Sequence, residues 1–326
     1  MTLLDTPLVS GLELSPPVLV RLISYTRDAP RLVAAAARIT VSKKPVEKAW
    51  DMPSSEIEKW IRELIRRGHG SPLEHAVYTF EVVCSRVCSH QLVRHRIASY
   101  TQQSMRYTEG FLRQMVIELC QFSDVECPEK PRRRDDYALY SSILRWAAGL
   151  VDRHDERNGV ETAKILEAVS RAFVLNPKWN FGTMLSHARI HLQAAAEYYK
   201  MLAEGLPRED ARFVLPQAVR TRVVFTMNAR ELLESFLPLR MCSHAQWEIR
   251  LLAWRVREEL VRIHPEIFRY AGPRCVFQEN RVRQEPCRLE DYVLGQCGFT
   301  IERCPELVPR QGIANCLGLA AQSSRW

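Results

Sequence analysis

The stretch from His75 to Leu92 constrains the fold of this chain more than any other part of the sequence. Its first nine residues, HAVYTFEVV, are apolar and rich in β-branched and aromatic side chains, a composition that predicts a strand. Apolar residues then recur at the spacing of a helix face, at Cys84, Val87, Cys88 and Leu92. A strand that leads directly into a short helix is therefore expected here.

The end of this predicted helix carries polar groups. Gln91 lies on the apolar stripe, and Arg94 and His95 follow it by three and four residues. Residues three and four apart share one side of a helix, so an amide, a guanidinium and an imidazole are expected to point towards the interior together. Such an arrangement indicates a functional site.

The residues after the helix end are typical of phosphate recognition. The segment RHRIASYTQQSMRY, residues 94–107, holds three arginines and one histidine among hydroxyl and amide side chains. A guanidinium donates two parallel charge-assisted hydrogen bonds to an oxyanion, and a hydroxyl group adds a third. The alternative is a solvated, arginine-rich surface without a ligand.

This segment resembles the signature of the flavin-dependent thymidylate synthases, Arg-His-Arg-x-x-Ser-x-Asn-x-x-Ser-x-Arg. The matching residues are Arg94, His95, Arg96, Ser99, Ser104 and Arg106. Thr101 stands where the family most often has Asn, and Gln102 stands where many members have Glu. Both replacements keep a polar group, so they affect individual ligand contacts more than the assignment to the family.

Four other segments resemble blocks of the same family and occur in the family's order: RGHGSPLEH, LPREDARFVLP, MNARELL and LRMCSHAQWEIR. Together with the signature they touch most of the chain up to about Tyr270. The segment ELLESFLPLR, which leads to Arg240, is one residue longer than the family's usual spacing. No flavin contact is therefore assigned near Glu234.

The resemblance implies an α+β fold in which helices flank a central, mostly antiparallel sheet. It also implies a homotetramer whose sites are shared between subunits. The implied reaction is the reductive methylation of dUMP to dTMP, with 5,10-methylenetetrahydrofolate as carbon donor and FAD, reduced by NADPH, as hydride source. The alternative is a degenerate flavin- or nucleotide-binding homologue, if Thr101 and Gln102 prevent binding of one substrate.

The resemblance also assigns site residues. The positions expected to contact dUMP are Gln91, Arg94, Gln102, Gln103, Ser104, Arg106, Arg212 and Arg240. The positions expected to contact FAD are Ser71, Arg94, His95, Arg96, Gln102, Asn228, Arg230 and His244. His69 is expected near the folate, and no metal ligand is assigned.

Two of these residues invite specific chemical roles. Methylation at C5 of uracil develops negative charge along the O4, N3 and O2 side of the ring, and a preorganised guanidinium stabilises such charge. The resemblance gives this catalytic role to Arg240, for which the alternative is a surface ion pair. Ser104 would need a base to act as a nucleophile, and His95 is the one candidate among its charged neighbours in the signature. Ser104 is therefore expected to be a dUMP ligand.

Composition and motifs narrow the remaining classes of function. The net charge of +8 admits a nucleic-acid-binding protein, but zinc-finger spacing, an aromatic RNA-binding signature and a helix-turn-helix are all lacking in the sequence. Neither GxGxxG nor GxxxxGK occurs, so a flavin must be held by side chains and turns from several segments.

The N-terminal residues do not resemble a signal peptide, and no apolar run approaches the roughly 20 residues that span a bilayer. A cytoplasmic protein is expected, without a nucleic-acid or membrane partner.

Residues 1–270 are expected to form the catalytic domain, with a helical insertion at about 123–180, and residues 271–326 a C-terminal extension. The extension holds five of the ten cysteines and could bind a metal, cover an oligomer interface or be partly mobile. An interface-covering role is favoured.

His187 and His191 are spaced to chelate a metal, but no third ligand is evident, so ordinary helix histidines are expected. Structural thiols are expected at Cys84 and Cys88.

Three helices can be placed from local patterns. An alanine-rich helix is expected after a break at Pro30. A second helix is capped by Ser54 or Ser55 and ends at Gly68 and Gly70. A third, long amphipathic helix runs from Ser243 to Arg269.

Overall fold

The computed structural model describes residues 12–43, 45–153 and 159–322 of the chain. Its sheet contains the strands β1 (Leu19–Tyr25), β2 (Val77–Ser85), β3 (Ala98–Gln102) and β4 (Arg220–Asn228). The strands are antiparallel and lie in the order β1-β2-β4-β3. Helices flank this sheet, so the expected α+β fold is confirmed.

The α-helices of the described residues are α1 (Ala29–Ile39), α2 (Val46–Trp50), α3 (Ser54–Arg67), α4 (Arg86–Leu92), α5 (Gly110–Phe122), α6 (Arg134–Asp152), α7 (Gly159–Ala172), α8 (Phe181–Ala203), α9 (Arg208–Ala211), α10 (Ala229–Glu231), α11 (Leu237–Arg240), α12 (Trp247–Ile263), α13 (Pro265–Phe268), α14 (Arg274–Val282), α15 (Leu289–Val293) and α16 (Arg310–Gln322). Short 3₁₀ helices span Ser71–His75 and Arg212–Val214, and a π-helical turn spans Leu232–Phe236. None of the described helices is both long enough and apolar enough to cross a bilayer.

The chain divides into two compact units. Among the described residues, the first comprises those of 12–17, 83–89 and 102–222. Its core is helical, with α6 and α8 packed along each other and α5 and α7 completing the cluster. The rings of Tyr140 and Tyr199 meet edge to face at 5.1 Å in this core. The helices predicted for the insertion are therefore confirmed as α6 and α7.

The second unit comprises Val18–Val82, His90–Thr101 and Val223–Trp326. Phe80 of β2 and Phe225 of β4 stack at 5.2 Å, and both are fully buried. Full burial of a side chain of this size stabilises a fold by about 1.5–3 kcal/mol. α12 packs against β1 in the same unit.

Several local expectations differ from the structure. Cys84 belongs to β2, because the strand continues to Ser85 and α4 begins at Arg86. Pro30 does not break the chain but lies in the first turn of α1, where its missing N–H costs nothing.

Helix ends were also partly mispredicted. Pro53, rather than a serine, precedes α3, and no side chain caps that helix. The expected C-cap is confirmed, since Gly68 has φ of 72°. The long helix is interrupted after Ile263, where Pro265 starts the short α13. The N-terminal residues 1–11, on which the expectation about a signal peptide rests, lie outside the described residues.

Two disulfide bonds were not anticipated from the sequence. Cys120 is bonded to Cys127, and Cys287 is bonded to Cys297. Six cysteines are free thiols, and Cys84 and Cys88 are among the buried ones, as expected for structural thiols.

Candidate active site

The first group of site residues surrounds the turn that follows α4. The hydroxyl of Tyr100, on β3, donates hydrogen bonds to the carbonyl oxygens of Leu92 at 2.9 Å and His95 at 2.8 Å. Burial raises the pKa of Tyr100, and the charge of Glu231 raises it further, so this hydroxyl keeps its proton. The turn is thereby fixed, and it places the His95 ring in the interior with 5% of the residue exposed.

The His95 ring bridges an arginine and a glutamate. Arg240 Nε lies 3.0 Å from His95 Nε2, and Glu231 Oε1 lies 3.1 Å from His95 Nδ1. Because a guanidinium can only donate, Nε2 is the acceptor, and the ring proton resides on Nδ1 and is donated to the carboxylate. The edge of the ring also meets Phe236 at 5.1 Å between centroids. The imidazole is therefore held in one tautomer and one orientation.

Two of the groups that hold Arg240 are uncharged acceptors. Besides His95, its Nη2 donates to the carbonyl oxygen of Gln91 at 3.0 Å. The residue is partly buried. Hydrogen bonds to neutral acceptors fix the position of a guanidinium without offsetting its charge. This geometry suits a group that stabilises negative charge.

The helical segment that carries both Glu231 and Arg240 contains the π-helical turn Leu232–Phe236. Pro238 lacks an N–H, and its ring clashes with the carbonyl four residues back, which disrupts the regular hydrogen-bond ladder at this point. At about 100° per residue, nine residues of regular α-helix would place Glu231 and Arg240 on opposite sides. The π-helical turn takes up one extra residue, which reduces the angle between the two side chains around the helix axis to about 80°. Both side chains therefore reach His95.

Asn228 and Arg230 occupy the start of the same segment. The Asn228 side chain caps the helix by accepting a hydrogen bond from the Glu231 N–H at 2.8 Å. Arg230 pairs with Glu74 at 2.6 Å and with Glu234 at 3.1 Å, and these hydrogen bonds raise its pKa. Its side chain crosses Gly70 so closely that a Cβ atom there would lie 2.5 Å from Arg230 Nε. A side chain at position 70 would therefore require Arg230 to shift.

A cavity of about 760 Å³ opens in the second unit between α1, α3 and the loop after α3. His69 and Ser71 both line it, together with the indole of Trp60. Hydrogen bonding from Arg66 lowers the pKa of Glu63, on the same wall, to about 2, so that the wall carries a carboxylate at neutral pH. The predicted folate residue and one predicted flavin residue therefore share a cavity large enough for a ring system.

The first unit holds a separate group of polar site residues. Arg106 Nε lies 2.8 Å from Glu209 Oε2, and Arg212 Nε donates to the Glu209 carbonyl oxygen at 3.1 Å. Burial lowers the pKa of Arg86, and the charge of Arg212 lowers it further, which places these two cations in electrostatic range. The hydroxyl of Ser104 accepts from the Arg106 N–H at 3.3 Å. A bound anion would relieve repulsion within this group.

The amides of the signature are used internally. Gln102 Nε2 donates to Ser89 Oγ at 3.0 Å and to Thr221 Oγ1 at 3.1 Å. The backbone N–H of Gln103 donates to the Arg222 carbonyl oxygen at 2.8 Å. Gln102 therefore has a structural role in addition to any contact with a ligand.

Comparison with known proteins identifies the family of this chain. Residues 21–266 match the family described as thymidylate synthase complementing protein. The flavin-dependent thymidylate synthase of Aeropyrum pernix is 46% identical over 93% of this chain and 93% of its own length. The chain belongs to the flavin-dependent thymidylate synthases. The resemblance inferred from the sequence is thus confirmed.

A second relative supports this family membership, and one solved structure shares the fold. The flavin-dependent thymidylate synthase of Sulfurisphaera tokodaii is 38% identical over 91% of this chain and 95% of its own length. A crystal structure of the UMP/dUMP methylase PolB from Streptomyces cacaoi, bound with 5-Br dUMP, shares the fold with a TM-score of 0.52. It is 24% identical and covers 79% of this chain and 95% of that one.

The structure of this flavin-dependent thymidylate synthase corrects one placement in the signature. Arg94 is exposed, because α4 ends at Leu92 and the turn directs it away from the interior, so the expectation that it points inward with His95 was wrong. Arg96 and His244 are exposed as well. Of the three residues Gln91, Arg94 and His95, only His95 is buried, while Gln91 is partly buried.

Sequence reasoning missed three residues that organise the two groups. Glu231 lies within the block MNARELL and was not singled out, although a carboxylate three residues after an N-cap asparagine is a recognisable pattern. Ser235, 3.3 Å from His95 Nδ1, carries no sequence signal. Arg86, a cation at a strand-to-helix junction, could have been noted beside the signature.

Proposed function

We propose that this protein catalyses the reductive methylation of dUMP to dTMP, using 5,10-methylenetetrahydrofolate, FAD and NADPH. The observation that carries the proposal is the Arg240 guanidinium, which His95 and the Gln91 carbonyl hold in place. Methylation at C5 requires negative charge to develop on the uracil ring, and a preorganised cation is the group that stabilises such charge.

Arg240 is the catalytic residue of this proposal. Its guanidinium donates a hydrogen bond to the uracil oxygen or nitrogen on which negative charge develops, and it keeps its proton. His95 is a positioning residue, because its Nε2 fixes the guanidinium while Glu231 fixes the ring. Because these hydrogen bonds come from the protein itself, little reorganisation is required as the charge develops.

The arginines of the first unit are proposed to bind the dUMP phosphate. Arg106 and Arg212 lie around Glu209, and Ser104 is adjacent to Arg106. Phosphate can replace the exposed Glu209 carboxylate as the partner of Arg106, since guanidinium–phosphate pairs are bidentate and strong. The proposed assembly is a homotetramer in which more than one chain contributes to each site. A cytoplasmic location belongs to the same proposal.

Ser104 is proposed as a ligand rather than a nucleophile. Its hydroxyl accepts from the Arg106 N–H, and the imidazole of His95 is engaged by Arg240 and Glu231. A serine nucleophile requires a base that accepts its proton. The contacts of Ser104 and His95 instead support a binding role.

The residues of the second unit have the chemistry expected of a flavin and folate site. Exposed guanidinium groups at Arg94, Arg96 and Arg230 suit the two phosphates of FAD, and His69 and Ser71 line the cavity beside α3. When bound and reduced by NADPH, FAD supplies the hydride for the methyl group. The Asn228 side chain caps the helix that carries Glu231. The His244 side chain is exposed.

An anaerobic assay with each component omitted in turn tests the proposed function. We expect bound FAD, and dTMP that forms only when dUMP, methylenetetrahydrofolate and NADPH are all present. Light scattering should give the mass of four chains. Bound flavin without any dTMP would overturn the proposed reaction, as would dTMP formation that proceeds without flavin.

A further inference from the structure

Two ion pairs join two short segments of the first unit. The turn between β3 and α5 carries Arg106 and Glu109, and α9 begins with Arg208 and Glu209. Arg106 pairs with Glu209 at 2.8 Å, and Arg208 pairs with Glu109 at 2.9 Å. Each segment therefore supplies the cation of one pair and the carboxylate of the other, which fixes how the two segments lie against each other.

The two pairs differ in their exposure to solvent. Arg106 and Glu209 are both exposed, whereas the Glu109 side chain is 4% exposed and the Arg208 side chain 32%. An exposed ion pair is screened by water and is opened at little cost. A buried carboxylate that loses its partner keeps an uncompensated charge. The pair between Glu109 and Arg208 is therefore expected to stay closed when Arg106 changes partner.

The buried pair has the geometry of a fixed contact. Arg208 Nε lies 2.9 Å from Glu109 Oε2, and Arg208 Nη2 donates to Glu109 Oε1 at 3.2 Å. Two parallel contacts between a guanidinium and a carboxylate fix the orientation of both groups as well as their separation. Burial acts to lower the pKa of Arg208, but the charge and the hydrogen bond of Glu109 act against it, and the pKa is raised.

Tyr137 of α6 also holds the Arg208 side chain. Its hydroxyl donates to the carbonyl oxygen of Pro131 at 3.2 Å and accepts from Arg208 Nη2 at 3.0 Å. The Tyr137 ring lies nearly parallel to the Tyr199 ring of α8, with centroids 6.3 Å apart. Because α6 belongs to the helical insertion, the insertion supports the start of α9 through this contact.

Each member of the buried pair is close in sequence to proposed phosphate ligands. Ser104 and Arg106 lie in the segment that ends at Glu109. Arg212 lies one helical turn after Arg208, and its N–H donates to the Arg208 carbonyl oxygen. A shift of α9 relative to the turn would therefore separate Arg106 from Arg212.

We propose that Glu109 and Arg208 form a positioning pair that keeps Arg106 and Arg212 at the spacing of one phosphate group. The exposed pair opens when the phosphate replaces Glu209, and the buried pair then holds the two segments together. This inference rests on the proposed binding of the dUMP phosphate by the two arginines. Glu109 and Arg208 are not phosphate ligands but act through the arginines beside them.

Glu109→Gln separates positioning from a direct electrostatic effect. Removal of a carboxylate near a phosphate site would, by charge alone, tighten dUMP binding, whereas loss of positioning weakens it. We expect the Kd for dUMP, from isothermal titration of the FAD-loaded protein without the other substrates, to rise about tenfold. The kcat at saturating dUMP should stay within about threefold of the wild type. Unchanged or tighter binding would overturn the proposal.

The matched control is Glu118→Gln in the same unit. Glu118 of α5 accepts two hydrogen bonds of 3.1 Å from Arg171 of α7. Its loss should leave the Kd for dUMP within about twofold of the wild type, because this partly exposed pair lies in other segments. Bound FAD and a cooperative thermal transition report that each variant has folded. Equal weakening in the two variants would indicate a general loss of stability and reject the positioning role.

A double-mutant cycle tests whether Glu109 acts through Arg106. In the Arg106→Ala background, Glu109→Gln should weaken dUMP binding by less than about twofold, because the arginine that it positions is absent. A further loss as large as that in the wild-type background would contradict the proposal.

Arg208→Lys supplies a second variant that keeps both charges of the buried pair. Lysine lacks the planar fork of arginine, so dUMP binding should weaken about threefold. Unaltered affinity in this variant would overturn the proposal whether or not Glu109→Gln folds. Failure of the wild type to bind dUMP would overturn the proposed function and the positioning role together. Normal wild-type binding that is insensitive to these substitutions would overturn the positioning role alone.

Discussion

The arginines of the two units differ in the partners that hold them. Arg240 donates to an imidazole nitrogen and a backbone carbonyl, both uncharged. Arg106 instead pairs with the carboxylate of Glu209, and the two side chains are 53% and 48% exposed. A cation that must act on charge developing during a reaction benefits from fixed neutral acceptors. A cation that binds an already charged phosphate can be paired with an exposed carboxylate, which the phosphate then replaces.

The largest effect that this comparison predicts is at Arg240. Arg240→Ala should lower kcat for dTMP formation about 10²–10³-fold, the loss typical of one preorganised donor, while FAD remains bound. Steady-state assays with saturating dUMP measure this. The control is Arg262→Ala, which removes an exposed arginine paired with Glu259 and should change kcat less than about twofold. An unchanged rate in Arg240→Ala would reject its catalytic role.

A smaller effect, on KM rather than kcat, is expected at Arg106. Arg106→Ala should raise KM for dUMP about 10–100-fold, because a hydrogen bond to a charged group contributes about 1.5–3 kcal/mol. The kcat value should remain within a fewfold of the wild type. If kcat falls while KM is unaltered, the distinction drawn between the two arginine groups fails.

Glu231→Gln tests whether the His95 bridge positions Arg240. The amide removes the negative charge and allows the ring to adopt the other tautomer, so kcat should fall about tenfold with little change in KM. Glu231→Asp, which keeps the charge, should recover part of the loss. Equal losses in the two variants would point to a packing role instead.

Glu209→Gln should have a smaller effect than any of these substitutions. The exposed pair contributes about 0–1 kcal/mol, so releasing Arg106 should lower KM for dUMP about twofold or leave it unchanged. Isothermal titration with dUMP gives the affinity directly. A severalfold loss of affinity would show that Glu209 holds Arg106 in place for the substrate and does not compete with it.

The buried histidines extend the comparison to stability. Burial lowers the pKa of His191, in α8, to about 4. His95 differs in its contacts, because its Nδ1 lies against the carboxylate of Glu231. Between pH 6.5 and about 4 the unfolded chain binds a proton at His191 that the folded chain does not, so stability falls as pH decreases.

His191→Gln removes this linkage. The variant should be less sensitive to pH, by about 2 kcal/mol between neutral pH and about pH 5. Urea unfolding at the two pH values measures the difference, with His187→Gln as the control. The same pH dependence in His191→Gln and wild type would exclude this linkage. The effect on turnover at neutral pH should be negligible.

Patterns of local sequence predicted the elements that carry the site. The apolar stripe of α3 and the positive φ of Gly68 follow directly from side-chain periodicity and from glycine's lack of a Cβ. The strand before α4 was equally clear. Local helix spacing pointed to His95, whereas Arg240 was indicated only by the resemblance of LRMCSHAQWEIR to a family block, because no local spacing links residues 145 positions apart.

The remaining features depend on contacts that no local pattern encodes. Arg94 is exposed because the helix ends two residues earlier, and helix ends are set by a few turn contacts such as those of Tyr100. The pairing of Cys120 with Cys127 and of Cys287 with Cys297 depends on the folded chain. Glu231 reaches His95 only because the intervening helix is not regular.

The wide turn at Leu232–Phe236 also affects how relatives should be aligned. A chain lacking one residue here can form an ordinary α-helix and still present the same two side chains to its histidine. Homologues that differ by one residue here can therefore present equivalent side chains at positions that differ by one in the sequence. A gap on the wrong side of this turn matches Arg240 to a neighbouring position, so alignments of the family should be anchored on the contact with the buried histidine rather than on residue spacing.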